Sequence, residues 1–152
     1  MPCILSVAVQ YEYSLWRREA ETELLPTMRE LGIALVAWSP LGAGFLAGPT
    51  DSLDENDFRN NNPRFLGEAG QANRDRFSPL QKIAQDLGIT PAQLALSWLL
   101  HQGDDIYAIP GSRKMARIDE NSASESISLS QEILAKIDEL MPAGAAHGAT
   151  LV

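Results

Sequence analysis

The chain has 152 residues, 45% of them hydrophobic and 21% charged, the size and make-up of one ordinary soluble globular domain rather than two. Its net charge of −8 argues against a dedicated DNA or RNA partner, because a phosphate backbone would be repelled on average. No apolar run reaches the roughly 18 residues that a membrane span needs. The N-terminal MPCILSVAVQ lacks a basic stretch and a small-residue cleavage site, so no signal peptide is expected and the cytoplasm is the expected compartment. Cys3, the single cysteine, excludes an internal disulfide and is assigned to packing.

The elements follow in order. Ile4 to Val9 is apolar and rich in β-branched residues, bounded by Pro2 and Gln10, which predicts a buried strand. Glu19 to Leu31 spaces Leu24, Leu25, Met28 and Leu31 as a helix does, with Gly32 just past its end. Ala34 to Trp38, ALVAW, is the second strand. Gly48 to Asn73 has no sustained periodicity and is expected to be a long loop. Ser78 to Leu87 is a helix closed by Gly88, and Thr90-Pro91-Ala92-Gln93 combines an N-cap, a proline at the first helical position and a capping glutamine, opening a helix to about His101. Ile106 to Ile109 is the third strand, followed by helices from Lys114 to about Ala123 and, capped by Ser130, from Gln131 to Leu140. The tail from Pro142 is small-residue-rich and expected to be loose.

Short apolar strands alternating with helices predict an α/β protein with a parallel sheet of three βα units. In such sheets ligands bind at the carboxyl ends of the strands. The residues there are Gln10 to Leu15, Trp38 to Gly42, and Pro110 to Lys114. The last group precedes a helix, and free N–H groups, the Ser112 hydroxyl and the cations Arg113 and Lys114 suit a phosphate, with Gly111 allowing close backbone approach. Arg117 is expected on the same face, with Glu120 and Asn121 one turn further, able to pair with a purine. This spacing favours a single phosphate group over a triphosphate. Neither GxxxxGK[ST] nor GxGxxG is present, and Gly42-Ala43-Gly44 lacks the third glycine.

Three blocks carry a family resemblance. Ile109, Pro110, Gly111, Arg117, Glu120 and Asn121 match the pattern I-P-[GK]-x-x-x-x-x-R-x-x-E-N that follows the last barrel strand of the aldo-keto reductases. Ala37 to Gly48, AWSPLGAGFLAG, is similar to the block after that family's seventh strand, and Val9 to Leu15, VQYEYSL, resembles its strand-six ending. Asp57-Phe58-Arg59 and Pro63-Arg64-Phe65 resemble a long seventh loop found in some branches, so the likeness runs from about residue 5 to residue 141. The resemblance implies a partial (β/α)8 TIM barrel, its C-terminal portion, with NADPH as cofactor and a small carbonyl compound as substrate of the complete barrel. It further implies that Ser112, Arg113, Lys114 and Arg117 contact the adenosine 2′-phosphate and that Glu120 and Asn121 contact the adenine. Trp38 would stack on the nicotinamide, Ser39 and Leu41 would line the pyrophosphate path, and Gln10 would bond the carboxamide.

The family's catalytic Asp, Tyr, Lys and His come from the first half of the barrel. Tyr11, Tyr13 and Tyr107 match no catalytic motif, His101 ends a helix as a partner of its dipole, and His147 falls in the tail. The isolated chain is therefore expected to be inactive. A closed barrel needs eight strands and about 250 residues, so three units leave two open sheet edges. Marginal stability, self-association through those edges, or truncation of a longer gene product are the expected consequences. The alternative to an oxidoreductase portion is a non-catalytic nucleotide-binding or regulatory module, or a gene fragment.

Overall fold

A computed structural model describes residues 7–48 and 53–149. Three strands, β1 (Ala8–Glu12), β2 (Ala34–Trp38) and β3 (Ile106–Ala108), form one parallel sheet in the order β1-β2-β3. The helices are α1 (Leu24–Glu30), α2 (Gly67–Asp86), α3 (Pro91–Leu100), α4 (Met115–Ser122) and α5 (Gln131–Leu140). Among the described residues no helix is long and apolar enough to cross a membrane.

Register and side-chain alternation divide the sheet into two faces. Val9 pairs with Leu35 and Tyr11 with Ala37, while Leu35 and Ala37 pair across with Ile106 and Ala108. These residues belong to, or pack on, the buried core. Gln10 opposite Val36, Glu12 opposite Trp38, and Tyr107 opposite Val36 lie on the other face. That second face carries the amide and the carboxylate of the strands, Gln10 and Glu12, together with Trp38 and Tyr107.

Four sequence expectations need correction. The first strand runs to Glu12, not Val9; Ile4 to Ser6 lie outside the described residues. The strand continues through polar Gln10 because its backbone pairs with β2 as far as Trp38. The helix expected over Glu19 to Leu31 is a 3-10 turn at Glu19–Glu21 followed by α1. Pro26 explains the break: it sits in the first turn of α1, where its missing N–H costs nothing, whereas one helix from Glu19 would bury it mid-helix. At the other end Gly32 (φ +67°) and the Ile33 N–H to Met28 carbonyl bond (2.8 Å) end α1 in a Schellman turn, as the position of Gly32 predicts.

The third correction is the long loop. α2 starts at Gly67, eleven positions before Ser78, and Phe58–Asn61 and Pro63–Phe65 form 3-10 turns capped by the Asp57 and Asn62 side chains. Residues 53–66 thus form an ordered strap. Gly70, a poor helix former, hides the true start from a sequence reading, yet a Cβ there would strike the Phe65 carbonyl. What orders the region is an aromatic stack. Trp16 lies on Phe45 at 4.0 Å between centroids, Phe65 meets both edge-on, and Phe77 of α2 packs on Phe45, each pair contributing about 0.5–1.5 kcal/mol beyond simple burial.

The fourth is the tail. Met141 is 1% exposed, Ala146 packs on the core, and the His147 backbone is bonded twice to the Asn73 side chain. Side chains far away in sequence hold it, so its own composition gives no sign of order.

The remaining helices agree closely with expectation. Thr90 and Gln93 form the full capping box, with Pro91 at the start of α3, and Ser130 caps α5. α3 is the central pillar: Leu94 to Leu99 are all buried. The buried Arg18 guanidinium lies 4.8 Å over the Trp98 ring and donates to Glu21, Asp138 and the Met141 carbonyl, while Trp98 Nε1 donates to Asp138. Burial opposes the Arg18 charge, but Glu21 and Asp138 more than offset it.

Candidate functional site

The carboxyl end of β2 turns sharply. Ser39 (φ 52°) and Ala43 (φ 54°) adopt left-handed backbone, as do Gly42 and Gly44, a conformation that costs a non-glycine residue about 1–2 kcal/mol. Ser39 Oγ accepts from the Ala43 N–H (3.3 Å), and the Ser39 carbonyl accepts from Gly42 N–H (2.9 Å). Gly42 is required by the close approach of Trp16: a Cβ there would lie 2.7 Å from Trp16 Cε3. The aromatic stack therefore sets the shape of this turn.

Opposite the turn runs the segment after β3. A groove of about 520 Å³ lies between them, walled by Ser39, Leu41 and Gly44 on one side and by Ile109, Gly111 and Arg113 on the other. Phe58, itself 61% exposed, closes part of the rim. The strap carrying it is pinned: Arg59 pairs with Asp57 (2.6 Å) and donates to the Ala43 carbonyl (3.3 Å). This pairing, with the Arg59 N–H, holds the Asp57 carboxyl down at about 2.

The positive end of the groove has a specific local cause. Lys114 occupies the N-cap position of α4 with an extended backbone (φ −115°, ψ 126°) and makes no side-chain cap. Ser112 Oγ takes the Lys114 N–H at 3.2 Å. Among the described residues neither Arg113 nor Lys114 has an ion-pair partner, whereas Arg117 donates to Glu120 at 2.8 Å. An uncapped helix start with two unpaired cations is a favourable setting for an anion.

The structure separates the candidates into three places. Ser39, Leu41, Gly111 and Arg113 meet at the groove, with Ser112 and Lys114 beside them in sequence. Gln10 and Trp38 share the open sheet face. Arg117 and Glu120 form a pair on α4, and Asn121 faces a second groove of about 470 Å³ between α3, β3 and α4, with Leu96, Ala108 and Ile118. The expectation that Arg113, Lys114 and Arg117 share one helical face does not hold, because α4 begins only at Met115 and the backbone before it is extended.

Glu12 lies in the strand-end set and Phe58 and Arg59 in the loop block named from the sequence, but none of the three is assigned a site role there. Glu12 shares the open face and the register position of Trp38, and burial raises its carboxyl above the usual range despite nearby Arg17 and Arg64. The two-residue period from Gln10 was the available signal. Phe58 and Arg59 had no local signal for facing the groove, since only the strap's fold brings them there.

Other candidates fall outside the site. Tyr13 is fully buried and donates to Glu21 (2.9 Å); burial and that carboxylate push its phenol far above the usual value. His101 Nδ1 lies 2.7 Å from the Ser97 carbonyl and its Nε2 accepts from Leu129 N–H (3.2 Å). These two contacts tie the end of α3 to the segment before α5, away from the groove. No cluster of possible metal ligands occurs among the described residues.

A parallel βα sheet with a groove at the carboxyl ends of its strands is the arrangement that part of a (β/α)8 barrel presents. The Aldo/keto reductase family model matches residues 3–142, and the chain belongs to that family. It is 40% identical over 143 residues to probable aldo-keto reductase 1 of Glycine max, covering 93% of this chain and 41% of that protein. A crystal structure of an aldo/keto reductase from Klebsiella pneumoniae, in complex with NADP and acetate, superposes with a TM-score of 0.67 at 25% identity, covering 96% of this chain and 44% of the other. A second, from the same organism with NADPH, gives 0.64 at 27% identity, with 88% and 39% covered. The chain thus spans less than half the length of these relatives and forms part of their barrel.

Proposed function

We propose that this chain is the cofactor-holding part of a cytoplasmic, NADPH-dependent oxidoreductase that reduces aldehydes or ketones to alcohols. The observation that carries the reading is the meeting of the turn after β2 with the segment after β3 around one groove that Arg113 helps to line. The donors fit a phosphorylated nucleotide: unpaired guanidinium and ammonium groups, an uncapped helix start, and glycine-lined walls. When bound, NADPH supplies the hydride that reduces the carbonyl carbon.

The residues divide the work of binding. Arg113, Lys114 and Ser112 hold the 2′-phosphate; Arg117, oriented by Glu120, adds charge beside it, and Glu120 with Asn121 serves the adenine. Ser39 and Leu41 support the pyrophosphate. Gln10 and Trp38 present a carboxamide partner and an aromatic face for the nicotinamide from the open side of the sheet. The family's proton-donating tyrosine and its Asp, Lys and His helpers have no match in this chain, so the chain alone does not turn over a carbonyl substrate. That mismatch also supports the second reading, a nucleotide-binding module without chemistry.

Both readings are tested at the phosphate end. Calorimetric titration with adenosine 2′,5′-bisphosphate and with adenosine 5′-monophosphate isolates the 2′-phosphate. The bisphosphate is expected to bind at least about tenfold tighter, since each charge-assisted bond contributes roughly 1.5–3 kcal/mol. Arg113→Ala and Arg117→Ala should each erode that margin, Arg113→Ala more, because Arg117 is already committed to Glu120. Equal affinities for the two nucleotides overturn the assignment. Supplying NADPH and a carbonyl compound to the chain then separates the readings from an active enzyme, with no turnover expected.

A further inference from the structure

Asn73 lies within α2, is 1% exposed, and has no part in the binding described above. Its carboxamide is committed to distant backbone. Nδ2 donates to the carbonyls of Arg64 (2.9 Å) and His147 (3.0 Å), and Oδ1 accepts from the His147 N–H (2.8 Å). Both donor protons are used and the acceptor is engaged, so the side chain has no proton left for a ligand. Its effect is to fix the two segments it touches.

Arg64 closes the same junction from the other side. It is 6% exposed, donates from Nε to the Gly148 carbonyl (3.2 Å) and from Nη1 to the Trp16 carbonyl (3.2 Å), and lies 5.6 Å over the Trp16 ring. The contact is tight: a Cβ on Gly148, at φ +86°, would come within 3.1 Å of the Arg64 nitrogen and the Pro63 carbonyl. From this junction a continuous chain of bonds leads to the groove. Arg64 N–H donates to Asn62 Oδ1 and Asn62 N–H to the Arg59 carbonyl. Arg59 in turn reaches the Ala43 carbonyl, and Phe58 forms the rim.

We propose that Asn73 is a positioning residue that joins the tail at 147–148 to the strap at 57–65, so that tail and groove rim open and close as one unit. The inference concerns segments of this chain and stands whether or not the groove takes the nucleotide proposed above. A ligand that orders the strap would order the tail as well, because ordering of one already includes ordering of the other.

Hydrogen exchange read by mass spectrometry tests this on the 152-residue chain, on Asn73→Ala, on Asn73→Asp, and on a chain ending at Met141. In Asn73→Ala the amides of Arg64 and Phe65 and those of the tail around His147 are expected to exchange at least about tenfold faster, as loss of a buried hydrogen bond allows. The α3 amides should keep their parental rates. The chain ending at Met141 leaves Asn73 intact and should accelerate the same strap amides, an effect that a merely local role of Asn73 does not produce. Asn73→Asp keeps an acceptor for the His147 N–H but turns a second carboxylate oxygen on the Arg64 and His147 carbonyls and buries a charge, so it should accelerate the same amides at least as much as Asn73→Ala. If Asn73→Ala also loosens α3, the decision passes to the chain ending at Met141: parental exchange at Arg64 and Phe65 there overturns the proposal, and faster exchange sustains it.

Discussion

Gly42 is where core packing and groove shape meet, and replacing it by alanine separates two costs. The first is conformational: at φ +55° an L-alanine loses about 1–2 kcal/mol relative to its preferred backbone. The second is steric. The new methyl would sit 2.7 Å from Trp16 Cε3 and 3.4 Å from two further ring carbons, and the indole cannot retreat easily because Phe45 stacks on it and Phe65 meets its edge. Overpacking of this kind costs typically about 1–3 kcal/mol, so Gly42→Ala should lose roughly 2–5 kcal/mol in all. Gly32→Ala is the matched control, since Gly32 has φ +67° and a methyl there would meet nothing within 4 Å; it should show the conformational cost alone. Urea unfolding followed by far-UV circular dichroism gives both values, provided the m-values agree. Equal losses in the two variants would refute the claim that Trp16 dictates the turn.

Three further outcomes follow from the same structure. Arg18→Ala removes bonds to Glu21, Asp138 and the Met141 carbonyl together with the contact over Trp98; it should lower stability by about 2–3 kcal/mol, and a loss below about 0.5 kcal/mol in urea unfolding would contradict the role given to it. Asp57, held at about 2 by Arg59, has a folded-state value below its ordinary 3.8. Its stabilising contribution is therefore complete above about pH 4 and is lost as pH falls through about 2. An NMR titration should find the Arg59 amide signal unchanged at pH 3.5, and a midpoint near 4 would dismiss the pairing. Asn62→Ala removes the cap of the 63–65 turn, where Asn62 Oδ1 accepts from Arg64 N–H at 3.0 Å, and should cost about 1 kcal/mol by the same unfolding assay.

The features legible in the sequence were those with a local cause. The capping box at Thr90 and Gln93, the glycine stops at Gly32 and Gly88, and the apolar β2 each declare themselves within a few residues. The parallel sheet followed from their alternation. What stayed hidden depended on distant partners. β1 passes through Gln10 because β2 holds it; α2 starts among glycines because the aromatic stack anchors Phe65 and Phe77; and the tail is held by Asn73, seventy-four positions away from His147. The candidate site divides in the same way. Gly111, Ser112, Arg113 and Lys114 stand out as a cationic helix approach in the sequence itself, while the opposing wall from Ser39 to Gly44 and the rim at Phe58 exist only through long-range packing.

For a chain of L-residues, Ser39 and Ala43 are wound with the disfavoured hand, and a segment wound that way returns to the ordinary hand once nothing opposes it. Trp16, Phe45, Phe65 and Phe77 supply that opposition from beneath. The groove is therefore a sprung surface whose restoring force comes from oily residues that never face it. Substitutions deep in the aromatic layer will change the form of the groove, and a survey confined to the residues lining it would miss where its shape is decided.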